Sequence, residues 1–595
     1  MKLLRDIRWL QEMVPVLRAM RGFSATGRET IATQIEAVVD RSPDRPALIS
    51  DEATWSYREL DAFANRFAHF YLSQDLATGD VIALDMPNQL EYVAAWLGAA
   101  KLGVTTALIN TNLSGPQLTH CLELADPKLV VLGGDRVTAF ATVDGRLDDL
   151  PVYTLGGDGA HVALEPLLAA APTTRPGDAH RRGITTGGTD VFLIYTSGTT
   201  GLPKAASMSH LRALSMTSAL VIMLELGPGS RHYTCLPLYH AAGSGSICGA
   251  LLAGATAIIV PKFSARQFFP DLVRFEATSF HYVGELFRYL VNQDPVPEER
   301  THKVTRCAGN GLRPDIWPVV QERFGIRRIL EGYGSTEGNV SMINVEGRRG
   351  AVGRYPSFVR KALGIELIRY DIEADQPVRG RDGRCIRCAP GVAGELIGKI
   401  PAKTGVSTGR FEGYTEAEAN ERKILRDVFK PGDAYFRSGD LLRMDEDGFF
   451  YFVDRIGDTF RWKGENVATT EVAEMLSVLA GIDEVNVYGV EVPGADGRAG
   501  MAAIVSHEDG PLDLSALYKA TERDLAPYAR PLFLRIQPGI EVTGSLKHRK
   551  VNLVQQGFDP SKIEDALYFR STLAGTYVPL TQQVYDEICA GATRI

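Results

Sequence analysis

Cysteine is scarce in this chain, with 7 among 595 residues, so no disulfide framework holds the fold together. Cys121, Cys235, Cys248, Cys307 and Cys589 are scattered, and Cys385 and Cys388 form a lone CxxC with no second half at zinc spacing. Alternation across Arg384-Cys385-Ile386-Arg387-Cys388 predicts strand residues there instead of a metal or redox site. A cationic excess is also missing. Lys plus Arg number 64 and Asp plus Glu 72, and the resulting net charge of −8 excludes a globally basic nucleic-acid binder. The first residues hold neither an uninterrupted apolar core nor a small-residue cleavage site, so no signal peptide is expected. Residues 241–260 reach the length of a membrane span without a charge. Gly243, Gly245, Gly249 and Gly254 interrupt them, and the stretch reads as a loop, a buried helix and a core strand.

Glycine, by contrast, is plentiful: 59 residues, above the usual share of about 7%. That predicts backbone positions that approach a ligand or need positive φ. Hydrophobic residues make up 45% and charged residues 23%, enough for sizeable cores. Near the N-terminus, Leu3, Ile7, Leu10, Val14 and Leu17 recur at helical spacing, with Lys2, Arg5, Arg8, Arg18 and Arg21 between and after them. This suits either an interfacial helix on an anionic membrane or a helix packed on the protein's own surface, and Pro15 should interrupt both.

Further on, helical and short apolar segments alternate. Leu60–Leu72 and Glu91–Lys101 read as helices, Val81–Leu84 and Thr105–Ile109 as strands, which predicts layered α/β architecture. Residues 172–190, rich in Pro, Gly, Thr and Arg, read as a surface loop. Another α/β region runs from Val191 to Gly338, and Ala351–Val453 turns to short strands with Gly and Pro punctuation. After Asp454 comes an α+β unit, with helices over Thr470–Leu479 and Leu514–Leu525 and strands over Glu484–Val490, Met501–Ser506 and Leu532–Ile536. The stretch after Phe558 offers only helix-like ends.

The most informative segment is Tyr195-Thr196-Ser197-Gly198-Thr199-Thr200-Gly201-Leu202-Pro203-Lys204, entered from the apolar run Val191–Ile194. Glycines free backbone N–H groups to approach oxygens, hydroxyls add donors and the lysine adds a point charge, a combination suited to polyphosphate. GxxxxGK[ST] is absent, so this is no Walker A loop. The string resembles the signature loop of the adenylate-forming superfamily of acyl-CoA synthetases, luciferases and peptide-synthetase adenylation domains. Further matches follow in that family's order. Leu236-Pro237-Leu238-Tyr239-His240 resembles its aromatic/His motif beside the acyl pocket, and Cys307–Leu312 its adenine-side loop. Glu331–Gly338 resembles its Tyr-Gly-x-Thr-Glu motif, and Ser438-Gly439-Asp440 with Asp454-Arg455 its ribose-binding pair. Asp454–Val467, and Tyr370-Asp371-Ile372 with Gly380–Cys385, are similar to the signature of the fatty acid transport protein and very-long-chain acyl-CoA synthetase family. Bacterial long-chain fatty acid–CoA ligases are the expected relatives.

The resemblance implies an α/β plus α+β fold: a large layered N-terminal domain, with α/β subdomains and a β-rich subdomain, and a small mobile α+β C-terminal domain. The expected divisions are an amphipathic segment over 1–30, an adenylation (AMP-binding) domain over 31–453, a hinge over 454–458 and a C-terminal domain with a family-type extension over 459–595. The implied activity is that of an AMP-forming long-chain fatty acid–CoA ligase using ATP, Mg²⁺ and coenzyme A. Thr196, Ser197, Gly198, Thr199, Thr200, Gly201 and Lys204 would hold the β- and γ-phosphates. Glu337 would bind Mg²⁺ and Thr336 would reach the α-phosphate. Tyr333, followed by Gly334 and Ser335, offers a face to adenine, and Gly309, Asn310 and Gly311 would permit close backbone approach. Asp440 would accept from the ribose hydroxyls, with Arg455 nearby. Val542-Thr543-Gly544 is followed by Ser545 and Leu546, so the family's catalytic lysine is displaced to Lys547, with Lys550 the alternative. Gly457 and Asp458 stand at the hinge, and Gly464 would line the pantetheine tunnel. His240, Ala241 and Gly243 would line the acyl pocket near the carboxylate. Asp445-Glu446-Asp447-Gly448 reads as a hairpin turn, since apolar strands flank it and the rest of a calcium loop is missing.

The implied partners are a fatty acid, ATP and CoA, with no nucleic acid. A cytoplasmic location with peripheral contact on the inner face of the cell membrane is expected, and the oligomeric state stays open, a dimer being one option. Two other readings also stay open: a ligase that donates its acyl group to a carrier protein, and a fatty acid uptake protein.

Overall fold

In the computed structural model, which describes residues 2–143, 145–147, 149–157, 159–177, 184–196, 203–401, 411–463, 465–495, 497–507, 512–540 and 550–593, the expected alternation becomes two large sheets and several smaller ones. The chain divides into two units: Met1–Gly364 with Gly398–Arg426 and Gly432–Phe436, and Ile365–Ile397 with Asp427–Pro431 and Arg437–Ile595.

Both large sheets belong to the first unit. The seven-stranded sheet runs parallel through Leu129–Gly133, Val81–Asp85, Thr105–Leu108 and Asp190–Thr196, and closes on the antiparallel strand Lys204–Ser209. The eight-stranded sheet is parallel from Pro46–Ile49 through Arg231–Thr234, Ser279–Val283 and Arg306–Asn310 to Arg328–Gly334, with an antiparallel strand at each edge. Parallel strands need crossovers, so the loops at their carboxyl ends collect on one side, where α/β sheets bind ligands. The strands are apolar runs because both faces are covered; Leu129–Gly133 is buried throughout. Helix Tyr57–Ser73 starts three residues before its apolar pattern, because Ser56 and Glu59 form a capping box. It packs on Leu90–Leu102 so tightly that a Cβ at Gly98 would lie 2.6 Å from that of Phe67.

The N-terminal helix is continuous over Lys2–Met20, contrary to the expected break at Pro15. Pro15 is exposed, and burial of Trp9 and Val16 against Met223, Leu224 and Leu226 holds the helix on either side of it. Glu12 receives Arg328 at 2.6 Å and Asp6 pairs with the buried Arg354. Leu3, Leu4, Ile7 and Leu17 stay exposed. Thus one face of this helix packs on the protein's own surface, and the other is exposed. Residues 241–260 form the helix Ala241–Leu252 and the strand Thr256–Ile259, so the expected leading loop lies before Ala241 rather than within the stretch. Among the described residues no helix is long and apolar enough to cross a membrane.

The second unit has its own core and a five-stranded sheet, ordered Ile482–Glu491, Arg498–Ser506, Phe533–Ile536, Ala566–Ser571 and Thr576–Pro579. Helices Thr469–Ser477 and Leu514–Asp524 fall where expected. The stretch after Phe558 supplies the last two strands as well as the helix Gln582–Cys589. Asp445–Gly448 is a hairpin turn: Asp445 N donates to Phe449 O at 3.0 Å, and the Asp445 carboxylate accepts the N–H groups of Asp447 and Phe449. Cys385 and Arg387 make isolated bridges rather than a regular strand.

Candidate functional site

The phosphate-loop sequence joins two hydrogen-bonded strands. Antiparallel register sets Thr196 opposite Lys204 and Tyr195 opposite Ala205, so the ends of the loop meet at one mouth. Tyr195 anchors that mouth by donating to Cys121 O at 2.6 Å, and His120 Nε2 lies 3.0 Å from Pro203 O. Ser197, Gly198, Thr199, Thr200 and Gly201 lie outside the described residues.

The acidic motif leaves the end of Arg328–Gly334, where Tyr333 is half-buried and pairs with Met342 of the edge strand. Ser335–Gly338 then turns sharply: Gly338 N donates to Ser335 Oγ at 3.1 Å, and Arg212 Nη2 donates to Ser335 O at 2.8 Å. Thr336 is half-buried and Glu337 is buried. Lys423 Nζ approaches the Glu337 carboxylate to 3.7 Å. Burial, together with the charge of the Glu337 carboxylate, pushes the Tyr414 phenol well above its usual range. Burial lowers the Arg212 guanidinium, while the charges of Glu412 and Glu337 oppose the shift. Tyr414, Arg212, Lys423 and Glu412 were missed by sequence reasoning. The only local signal was the Phe411-Glu412-Gly413-Tyr414 string itself, which has no period to stand out.

On the adenine-side loop, Gly309 has its backbone against the carbonyl of Tyr282, where a Cβ would not fit. Gly311 takes φ +84° and donates its N–H to Glu331 at 2.5 Å. Glu331 also accepts from Tyr282 at 2.5 Å; burial pushes it up to about 8 against these bonds. Asn310 ends its strand exposed.

The aromatic/His motif is bracketed by Asn88, which donates to Leu236 O at 3.0 Å and accepts from Leu238 N at 2.9 Å. Tyr239 accepts from Asn112 at 3.1 Å. His240 precedes the helix that begins at Ala241 without a side-chain capping bond, and Gly243 lets that helix start against the Pro237 carbonyl.

Within the second unit, Asp440 and Arg455 are direct cross-strand neighbours. Asp454, next to Arg455, is a fully engaged acceptor: it takes Thr469 N at 2.6 Å, Arg455 N at 2.9 Å, and the hydroxyls of Thr459, Thr469 and Thr470 at 3.1 to 3.3 Å. Gly457 has open space where a Cβ would stand and does not use positive φ. Asp458 pairs with Lys550 Nζ at 3.1 Å, and Lys550 also donates to Thr469 Oγ1 at 2.8 Å. Lys547 and Gly464 lie outside the described residues. Among the described residues no group of three or more His, Cys, Asp or Glu could by itself hold a metal ion.

The sequence model of the AMP-binding enzyme family matches residues 35–404. The chain is 40% identical over 602 residues to long-chain fatty acid transport protein 1 of Homo sapiens, covering 99% of this chain and 92% of that protein. It is 40% identical over 600 residues to long-chain fatty acid transport protein 2 of Rattus norvegicus, covering 98% and 95%. In fold it is similar to a benzoate CoA ligase from Burkholderia xenovorans, with a TM-score of 0.73, 21% identity and coverage of 88% of this chain and 100% of that one.

Proposed function

We propose a fatty acid–CoA ligase, proceeding from the family to which the chain belongs: it is an AMP-binding enzyme and, within that family, a member of the long-chain fatty acid transport protein group. The observation that carries the reading is the meeting of Thr196, Lys204 and Glu337 around one tyrosine, Tyr414, in the first unit. Such a cluster of hydroxyl, cation and carboxylate suits a nucleotide polyphosphate with its metal ion. Mg²⁺ takes one or two carboxylates together with phosphate oxygens and water, so a single buried Glu337 with a hydroxyl at its side fits it. The bound cation supplies neutralisation of phosphate charge.

The reaction has two halves. An oxygen of the fatty carboxylate attacks the α-phosphorus of ATP, and the bond to pyrophosphate breaks, leaving acyl-adenylate. The CoA thiol then attacks the acyl carbon and AMP departs. Positioning and charge stabilisation dominate such chemistry. Residues 196–201 and Lys204 would hold the β- and γ-phosphates, Glu337 the metal, and Thr336 the α-phosphate. Tyr333 and residues 309–311 would face adenine, and Asp440 with Arg455 the ribose. Lys547 would bridge the fatty carboxylate and the α-phosphate. Lys550, already engaged by Asp458 and Thr469, is the weaker candidate. Residues 454–458 would serve as the hinge for a mobile C-terminal domain, with Gly464 along the pantetheine path. His240, Ala241 and Gly243 would line the carboxylate end of the acyl pocket. Each buried CH₂ contributes about 0.8 kcal/mol, so long chains bind well whatever their length.

The outer face of the N-terminal helix suits peripheral contact with an anionic bilayer. Exposed Leu3, Leu4, Ile7 and Leu17 stand beside exposed Arg8, Arg18 and Arg21. Loss of vesicle binding in a Leu3→Ser, Leu4→Ser, Ile7→Ser variant would support this, and unchanged binding would remove it.

The test of function is product analysis by mass spectrometry with ATP, Mg²⁺, CoA and a panel of fatty acids. Acyl-CoA plus AMP is the expected outcome. Acyl-adenylate without acyl-CoA would favour donation to a carrier protein, and no nucleotide turnover would overturn the ligase in favour of uptake by binding.

A further inference from the structure

We propose that a polar strip on the core-facing side of the eight-stranded sheet, formed by His232, Thr234, Ser279 and His281, receives a hydroxyl group of the acyl chain, so that the preferred substrates are hydroxylated fatty acids. The inference deepens the ligase reading and rests on it, because that reading sets His240, Ala241 and Gly243 at the carboxylate end of the acyl pocket.

Register places the strip. Arg231–Thr234 and Ser279–Val283 are neighbouring parallel strands, with His232 opposite Ser279. Continued by two residues, that register brings Thr234 beside His281. On one flank His232 and Thr234 pair with Ala257 and Ile259. On the other His281 pairs with Ala308, which pairs with Leu330. Paired residues share a face, so this side of the sheet reads apolar, polar, polar, apolar across successive strands. It is the side under the helices. Ala257 and Ile259 share a core with Ile247, Cys248 and Leu251 of the helix Ala241–Leu252, and Ala308 and Leu330 share another with Met223 and Leu224. Tyr233, between His232 and Thr234, points the other way and donates to Asp271 at 3.1 Å. The helix that begins at Ala241 therefore packs over both strands of the strip.

A core-facing strip of a parallel sheet is ordinarily apolar. Here His232, Thr234 and Ser279 are buried, and His232 Nδ1 lies 2.9 Å from Ser279 Oγ. His232 Nε2, Thr234 Oγ1 and His281 Nδ1 are closed to solvent and have no hydrogen-bond partner among the described residues. Buried polar atoms in native proteins are paired and an orphan is costly, so three on one sheet face mark a place for a polar group brought from outside. Burial holds both imidazoles well below their usual range and hence neutral. A neutral imidazole has one donor and one acceptor, and a threonine hydroxyl is both. The matching guest is likewise donor and acceptor, which a hydroxyl is and a ketone or carboxylate is not. Thr234 ends its strand, and Ala308 directly precedes the adenine-side loop, so the strip opens at the carboxyl ends of the strands. His232 lies two residues deeper, about 7 Å along its strand. The hydroxyl that fits is therefore near the carboxylate of the fatty acid and not at its methyl end.

The test compares straight-chain fatty acids of one length, unsubstituted or with a hydroxyl at successive carbons, by kcat/KM for acyl-adenylate formation and by calorimetric binding. The acid hydroxylated near its carboxylate should be preferred to the unsubstituted acid by at least about 10-fold, since a site built to bond a hydroxyl rejects the analogue that lacks it. Thr234→Val and His281→Leu remove the bonding atoms. In each the preference should fall below about 2-fold, as the hydroxylated acid loses its partner and the unsubstituted one gains an apolar wall. Thr234→Val is nearly isosteric, so a folding defect in His281→Leu leaves the test standing. Equal kcat/KM for all the acids in the wild type would overturn the proposal and leave the strip to ordered water. A preference that survives both substitutions, or that peaks at the methyl end, would overturn it as well. If the wild type forms no acyl-adenylate with any fatty acid, the ligase reading falls, and the calorimetric comparison still decides what the strip binds.

Discussion

Glu337 in the first unit and Asp454 in the second are both buried, at 6% and 2% exposure, and both stand in motifs shared with the same family. Their surroundings differ. Asp454 takes two backbone N–H groups and three threonine hydroxyls, and its partners include the first residues of the helix Thr469–Ser477. Beside Glu337 stands Lys423, whose Nζ lies 3.7 Å from the carboxylate, beyond a normal hydrogen bond. A carboxylate saturated by its own fold caps a helix and pins a turn. One approached by a cation just beyond hydrogen-bond distance has room for a ligand. Burial alone does not separate these roles, and the donor count does.

Breaking the two acids in turn gives the largest contrast. Glu337→Gln should cut adenylation by about 10²–10³-fold, the scale for removing one preorganised electrostatic partner, while leaving the melting temperature close to wild type. Asp454→Ala should do the reverse, destabilising the second unit by about 2–4 kcal/mol through orphaned buried donors. Pyrophosphate release and hydrogen exchange over residues 454–470 measure the two effects, and a swap of outcomes would dissolve the distinction.

The two lysines sharpen it next. Lys547→Ala should abolish adenylation yet still turn supplied acyl-adenylate into acyl-CoA. Lys550→Ala should lose the half-exposed pair with Asp458, the bond to Thr469 and its charge beside Asp454, about 0.5–1 kcal/mol, with both half-reactions near normal. Selective loss of adenylation in Lys550→Ala would make Lys550 the ligand lysine.

Acid should separate the units by a smaller margin. In the first unit, loss of water around their rings lowers His210 and His232 to about 3 and His281 to about 4. Below about pH 6.5 the unfolded chain takes up protons that these folded rings refuse, so stability falls with falling pH, by up to about 1.4 kcal/mol per pH unit for each ring. In the second unit, burial raises Asp454 against the Lys550 charge and the Thr469 N–H. A raised acid binds its proton better when folded, so its contribution moves the other way and grows as pH falls. Hydrogen exchange at pH 7 and pH 5 should show protection lost first in the first unit. Parallel loss in both units would mean that these groups do not govern acid stability.

Much of this molecule was legible in its residues. The alternation over Val81–Ile109 marks helices and strands that form as read, because fully buried parallel strands demand unbroken apolar runs. The turn at Asp445–Gly448 and the helix over Leu514–Asp524 follow from local turn and periodicity signals. The motifs carried the family, since phosphate binding needs its glycines, hydroxyls and lysine close together in sequence.

Tertiary structure decided the rest. Whether a helix keeps its run through Pro15 depended on Trp9 and Val16 finding a core to bury in. Whether Asp454 binds a ligand or caps a helix depended on threonines up to sixteen residues away. Tyr414 is the clearest case: it sits 77 residues from Glu337 and 210 from Lys204 in sequence, and nothing local sets it apart. Sequence by itself determined which segments become strands and which string marks the family, because those depend on periodicity and composition over a few residues. Which side chains meet at the mouth of the hairpin was decided only when parallel strands and residues 411–415 brought distant residues within hydrogen-bonding reach, since such contacts carry no period along the chain.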